Sequence, residues 1–538
     1  MSRGKLVLAC VAVVGAAQAQ TVLHTDTYAN SGTGGRNVVR DASGVLHCVS
    51  IAGSPGSNAL QLRSSFDGGQ TWLLDPFTLN DASSGLSGAT TSLTNQCCVA
   101  IDDLGTLHVL WGGYYYPSNY RQYYRNYHPT TATASPIVDV TAMTGSVVTS
   151  RTAAMDVAVD ALNQVWLVTQ SNQLWREKLY FSAPYAVGGT FTDAGFISPS
   201  ASAQSTRIAI DATGVVHCSY YRNVGAGEYE HRAYTPGVGW GASTRLGNTT
   251  APNDFYGVLC ADLLGNVHSV YVKDAASPST WQFAYRMRDS SGVWGAEVPV
   301  FSATTAQYTG VANYFIFSVA CEETTGFVNV LYRDLAAGGQ LRVAQKPLSQ
   351  PAFVSFPLDL TAPSTALHEY YLPTIRGSLY PASNYTGRDL DFTWNLRPAG
   401  STQFSLVFQR IESITIAPLG PATLGTTQTI FIHSADDALT PYVCGFAFAP
   451  APGIGLADGR VIPLALDFLL TLSLDPLNGI FVNTIGALDG LADGAVAFNV
   501  PNLPVLTGAT IYCAFVTADF AHPTGIGTIS PPIAITMQ

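Results

Sequence analysis

Four arginines, Arg207, Arg222, Arg333 and Arg376, fall among tyrosines and carboxylates that recur through the middle of the chain. Their neighbours are Tyr221, Glu228 and Glu230, then Asp254, Tyr256, Lys273, Asp274 and Tyr308, then Tyr332, Asp334, His368, Glu369 and Tyr370. An aromatic stretch of Tyr114, Tyr115, Tyr116 and Tyr120 with Arg121 precedes them, as does Arg151. Converging guanidinium groups bind carboxylates through paired hydrogen bonds, tyrosine rings stack on sugars, and Asp, Glu or His can move a proton. Together these suit an acidic glycan. A second set, His47, His108, His217 and His268, has the residue type of a metal or acid–base centre. Each, however, occupies the same place in a repeat, and Trp166, Asn329 and Leu390 stand there in other copies. Equivalent positions around an axis do not converge, so these histidines read as half-buried groups satisfied by a turn or a neighbouring repeat.

The elements that must position these residues come from that repeat. An apolar run, an Asp or near substitute, two residues, Gly, and a second apolar run return seven times, anchored at Asp41, Asp102, Asp160, Asp211, Asp262, Glu323 and Asn384. Asp-x-x-Gly is a tight turn between two strands. The anchors are 51 to 61 residues apart, which is the length of a four-stranded propeller blade with its loops. Third strands carrying Tyr or Arg follow at Leu60, Gln122, Tyr229, Phe283 and Phe404, and fourth strands at Val298 and Phe356. The seventh copy lacks a fourth strand, whereas a strand-like piece from Thr21 has no place of its own, so it is expected to close the ring and remove two free sheet edges. The fold class is therefore all-β, a seven-bladed β-propeller over 20–412. A six-bladed ring with the seventh copy as linker is the alternative. In such a ring the loops between second and third strands, and those leading to the next blade, open on one face. The Arg, Tyr and acidic residues above share that face, and the Asp-x-x-Gly turns lie on the other.

Residues Ser65–Trp72 read Ser-Phe-Asp-Gly-Gly-Gln-Thr-Trp, a match to the Asp-box of sialidase-type propellers. In that superfamily the box is a hairpin device at the periphery, far from the site. The chain thus resembles the sialidase-like, Asp-box (BNR-repeat) superfamily. The resemblance implies a clamp of Arg207, Arg222, Arg333 and Arg376 for a sugar carboxylate, with Tyr256, Tyr308 or Tyr370 and Glu369 or Asp254 as chemical candidates. The chain departs from sialidases in having Arg36-Asn37-Val38-Val39-Arg40 where an Arg-Ile-Pro segment is found, and in its larger number of repeats. Similar propellers act as polysaccharide lyases, which implies His368, Tyr370 and Arg376 as a proton-abstracting trio. Tyr115 and Arg121 complete the expected substrate contacts. A non-catalytic propeller that binds glycans or proteins at a surface is the competing reading.

The chain opens with Arg3 and Lys5, an apolar stretch and Ala17-Gln18-Ala19, the pattern of a bacterial Sec-type signal peptide over 1–19. Export to the medium or the cell surface follows, with no membrane-spanning segment expected. The net charge of −11 becomes −13 once Arg3 and Lys5 are lost, and no basic run is present, which speaks against nucleic acid. A monomer without cofactor or metal is expected, because the turns lack the spaced acidic ligands of a calcium loop. Eight cysteines remain after the signal, without Cys-x-x-Cys, and an exported chain permits disulfides. Cys444 and Cys513 are the two that lie beyond the repeats, and their pairing is expected; connectivity in the ring stays open. From about Thr415 the repeat ends, and short apolar runs at Thr429, Tyr442, Ala497, Thr510 and Pro532 predict a small β-sandwich over 413–538. The stretch from Val500 to Asp519 resembles a C-terminal module of large secreted bacterial proteins, which implies export or attachment.

Overall fold

The computed structural model describes residues 21–26, 37–53, 59–80, 97–115, 119–143, 155–170, 176–183, 190–199, 203–222, 228–247, 254–274, 280–304, 317–322, 326–334, 340–348, 351–357, 374–375, 389–396, 404–412, 414–419, 422–434, 437–490, 492–520 and 522–538. They are nearly all β and fall into two compact units, Ala19–Leu358 with Ala362–Glu412, and a second that contains Ser413–Gln538.

Among the described residues the larger unit holds seven antiparallel sheets of four strands, six of them in sequential order and two with a fifth strand. The fourth sheet is typical: Ala203–Ile210, Val216–Arg222, Glu228–Thr235 and Gly239–Trp240. The last sheet departs from the pattern. Thr374–Ile375, Asp389–Leu396 and Phe404–Glu412 are joined on the outside by Thr21–Asp26, from the start of the chain. The first strand of every sheet touches that of the next, and Val38–Arg40 of the first sheet touches Asp389–Leu396 of the last, so the contacts run in a closed cycle. Apolar side chains fill the gaps between sheets. One cluster joins Val270, Phe283 and Tyr285 to Phe317, Val330 and Tyr332 from the following sheet.

The repeat resolves into one carboxylate with two duties. In the fourth sheet Asp211 Oδ1 accepts the backbone N–H groups of Thr213 and Val215 at 2.9 and 3.0 Å, while Oδ2 lies 2.9 Å from His217 Nε2. Asp41, Asp102 and Asp262 repeat this with His47, His108 and His268 at 3.5, 3.3 and 3.0 Å. In the third sheet the Trp166 indole N–H donates to Asp160 Oδ2 at 2.9 Å, so tryptophan replaces histidine as a donor of the same reach. The other imidazole nitrogen meets the third strand: Ser64 at 2.8 Å, Tyr124 at 2.7 Å, His231 at 2.9 Å and Tyr285 at 2.8 Å. One side-chain relay thus ties the turn to three strands. In the sixth sheet the turn starts at Glu322 rather than at the expected Glu323: Glu322 N–H bonds Phe327 O at 2.7 Å and Gly326 N–H bonds Glu322 O at 2.9 Å, one residue longer than elsewhere. The Glu-Glu pair made the register ambiguous by one position. Glu323 and Asn384 lie outside the described residues.

Polar staples cross between sheets. Arg125, Arg232 and Arg286, on third strands, donate to Leu79, Ile197 and Leu246 carbonyls of the preceding sheets at 3.0, 3.0 and 2.9 Å. Asp156 and Glu177 of the third sheet accept N–H groups of Ile208 and Thr206 in the fourth, both at 2.9 Å. Buried Asp391 of the last sheet takes Arg410 at 2.8 Å and also pairs with Arg40 of the first. The Ser65–Trp72 turn is built as its composition requires: Asp67 accepts Thr71 N–H and hydroxyl at 2.8 and 2.6 Å, and Gly68 and Gly69 have φ of 71° and 97°. Trp72 packs on Phe408 of the last sheet at 5.0 Å.

The second unit has two principal sheets. Ile414–Leu419, Thr427–Ser434, Asp493–Asn499 and Phe481–Val482 form one; Ile485–Ala487, Pro441–Ala447, Thr510–Ala518 and Ile526–Ile529, with Ile533–Thr536, form the other. Ile430, Ile432, Val496 and Phe498 of the first pack with Phe446, Cys513 and Phe515 of the second. The apolar run from Val461 contains a short helix, Phe468–Ser473, which Asp467 caps by accepting Leu470 N–H. Among the described residues no helix is long and apolar enough to cross a membrane. All eight described cysteines are thiols, so the expected Cys444–Cys513 disulfide is two adjacent sulfurs in this structure, not a bond.

Two substitutions test this frame. Asp211→Ala strips acceptors from two backbone N–H groups and a buried imidazole, and urea unfolding should record a loss of about 3 kcal/mol. A loss under about 1 kcal/mol would mean that the relay is dispensable. Gly257→Ala sets a Cβ 2.1 Å from Tyr229 Cζ, and overpacking of that kind should cost about 1–3 kcal/mol.

Candidate functional site

In antiparallel sheets of this order the Asp turns occupy one end and the connections between second and third strands the other. At the turn end the anchor carboxylates are engaged by the relay. At the opposite end of the fourth sheet a network stands free of it. Arg222 pairs with Glu228 and, through Nε, with Glu230 Oε1 at 2.9 Å; Arg245 reaches the other Glu228 oxygen at 3.0 Å. The Tyr220 hydroxyl donates to Glu230 Oε2 at 2.6 Å and lies 2.8 Å from Ser243 Oγ. Burial pushes the Tyr220 phenol above its ordinary range, and the Glu230 carboxylate adds to this. In the fifth sheet Lys273 pairs with Glu297, whose second oxygen is 2.6 Å from the Tyr271 hydroxyl. In the second sheet Arg121 pairs with Asp139.

The sequence-predicted residues divide accordingly. Arg207 lies opposite Ser219, whereas Arg222 is three positions further along the same strand, so the two arginines project from opposite faces of the fourth sheet. Arg207 is buried, donates to Thr206 O at 3.0 Å, and its charge reaches Tyr229. Arg222 is engaged by Glu228 and Glu230 and not held open beside Arg207. Tyr332, on the same expected face, is a core residue stacked on Phe301 at 3.8 Å. Tyr115, Asp254, Tyr256 and Arg333 lie on strands whose backbone is described without their side chains; in the strand register Asp254 stands opposite Lys273, and Arg333 opposite Leu341. His368, Glu369, Tyr370 and Arg376 lie outside the described residues, as do Arg151 and Tyr308. Sequence reasoning missed Arg245, Glu297 and Tyr220 as partners. The spacing of Arg222 and Glu228 across a hairpin was the available signal. Among the described residues no cluster of three metal-ligating side chains occurs.

Among the described residues, the one place where imidazoles meet is structural. His217 Nε2 faces Asp211, so its Nδ1 accepts from His231 Nε2–H at 2.9 Å. Trp294 packs edge-on against His231 at 5.1 Å. Burial pushes both imidazoles below 6.5, and the nearby Arg288 charge adds to this, while Asp211 works against it at His217. For Asp211 burial alone would raise the value, but the bonds from His217, Thr213 and Val215 bring it down to about 2.

No family model matches the chain, and no curated protein matches it. Solved structures share its outline at low superposition. The polysaccharide lyase Uly1 is 11% identical with a TM-score of 0.43, over 70% of this chain and 90% of that one. A point mutant of the NanB sialidase from Streptococcus pneumoniae is 13% identical with a TM-score of 0.39, over 73% and 70%. The α-L-arabinanase of Penicillium chrysogenum is 13% identical with a TM-score of 0.38, over 73% and 98%. At these values none bears on what this chain does.

The His217–His231 pair carries a pH signature. A folded value below the unfolded one means that stability is complete above about pH 6.5 and falls as acid protonates only the unfolded chain. The unfolding free energy of His231→Gln, measured from pH 8 to 5, should decline less steeply by up to about 1.4 kcal/mol per pH unit. Parallel curves for the two proteins would show that His231 does not titrate on unfolding.

Proposed function

We propose that this is a secreted protein in which residues 1–19 are a removed signal peptide, 20–412 a seven-bladed β-propeller and 413–538 a β-sandwich for export or attachment. Its role is to recognise or act on an extracellular acidic glycan at the face opposite the Asp turns. The observation that carries this reading is the asymmetry of the sheets. At the end of the sheets away from the Asp–His relay stand charged groups that the repeat does not require: Arg121, Arg222, Glu228, Glu230 and Lys273. Tyr115, Asp254, Tyr256 and Arg333 lie toward that same end of their sheets and are further ligand contacts in this reading, whereas Arg207 is buried within its sheet and is not. In this reading His368, Glu369 and Tyr370 are the groups to test for proton transfer, and Arg376 for carboxylate binding.

One observation favours a binding module without catalysis. Arg121, Arg222, Arg245 and Lys273 are each already paired with a carboxylate, so these described cations form no open anion clamp. The purified chain, incubated with sialosides and with uronate polysaccharides, separates the readings. New reducing ends report hydrolysis, and absorbance of unsaturated products reports elimination. Binding on a glycan array without either product assigns the binding module. Absence of both product and binding with every acidic glycan overturns the proposal.

A further inference from the structure

The second unit places two cysteines side by side. Cys444 lies on Pro441–Ala447 and Cys513 on Thr510–Ala518, adjacent antiparallel strands in which Cys444 faces Phe515 and Phe446 faces Cys513. The cysteines are therefore diagonal neighbours, and they point to the same side of the sheet. Their sulfurs are 3.3 Å apart, inside van der Waals contact, and neither residue is exposed. Ile430, Phe446, Phe498 and Phe515 pack around them, and this core excludes water and other reactants. Cysteines of the larger unit have different sulfur contacts: Cys98 approaches Leu110 O at 3.7 Å and Cys321 approaches Ala261 O at 3.1 Å.

We infer that Cys444 and Cys513 are a dithiol built for oxidation to a disulfide that staples the two central strands of the second unit, with a small-molecule or protein disulfide as the oxidant. One thiolate attacks a sulfur of the oxidant and releases its first thiol. The other cysteine then attacks the mixed disulfide and releases the second. Two protons and two electrons leave the pair, one S–S bond forms, and the oxidant's S–S bond is reduced to two thiols. Burial holds the Cys513 thiol well above its usual range, so the completed fold supplies almost no thiolate, and the exchange belongs to the period before the core closes. The pair is separated by 69 residues, and a link that closes so long a segment restricts the unfolded chain strongly. This inference is independent of the glycan reading.

The test uses the full chain refolded from urea in a buffer of oxidised and reduced glutathione, so it does not rely on export. After acid quench, alkylation and proteolysis, mass spectrometry should find the peptides of Cys444 and Cys513 joined in most molecules. Protein refolded in reduced glutathione alone should show a melting temperature of the second unit several degrees below that of protein refolded in the mixed buffer. Alkyl groups on both cysteines after oxidative refolding, or a link from either one to a cysteine of the larger unit, would overturn the inference. Because the mapping uses the unsubstituted chain, a variant that fails to fold cannot obscure the result.

Discussion

The larger unit depends on a carboxylate that answers two demands at once. A tight turn leaves backbone N–H groups without strand partners, and a buried imidazole or indole needs an acceptor for its ring N–H. A single Asp at the start of the turn meets both, one oxygen for each. Because the ring then reaches the third strand, the turn fixes the spacing of three strands instead of two. Interchange of His217 with Trp166 is tolerated because both present an N–H in that direction, although only histidine offers a second nitrogen to continue the relay.

Joining the sheets poses a different problem. Strands twist, so neighbouring sheets splay apart toward their outer edges, where apolar packing alone leaves carbonyl groups unpaired. Arg125, Arg232 and Arg286 span those gaps with a forked head that binds both their own sheet and the one before it: Arg232 takes Gly241 O at 2.8 Å and Ile197 O at 3.0 Å. Where the first strand of the fourth sheet comes close to the third sheet, short carboxylates suffice, as Asp156 and Glu177 show. At the seam between the first and last sheets the staple is ionic, with Asp391 between Arg40 and Arg410. A chain with so few charges thus commits many of them to its joints.

That commitment explains what the sequence could and could not disclose. The repeat was legible because one local geometry forces one local pattern, and the strand from Thr21 was legible as an element without a place. The Asp67 turn was equally plain, since two glycines with positive φ followed by Trp admit few other structures. What stayed hidden was partnership across the ring. Arg232 and Arg222 look alike in a string of letters, yet one holds carbonyls of the preceding sheet and the other meets carboxylates at its own sheet's end. Whether Arg207 and Arg222 share a point depends on strand parity, and residues 207 and 222 lie on different strands whose register a bulge shifts. In the second unit Asp467 as a helix cap was readable in principle, but the apolar run that holds the short helix is itself broken by Pro463 and Asp467.

The paired charges also narrow what a ligand can find on the fourth sheet. Arg222 and Arg245 contribute two positive charges and Glu228 and Glu230 two negative ones, so the group is neutral as a whole. An anion that approached Arg222 would have to displace Glu228 or sit beside it, and either course weakens the attraction that the guanidinium would otherwise exert. What this sector can give readily is direction: hydroxyl groups of a sugar can accept from an arginine edge and donate to a carboxylate without disturbing the pairs. In the proposed glycan reading, charge for an acidic residue comes from elsewhere around the ring, and the fourth sheet reads the uncharged part of the same chain of sugars.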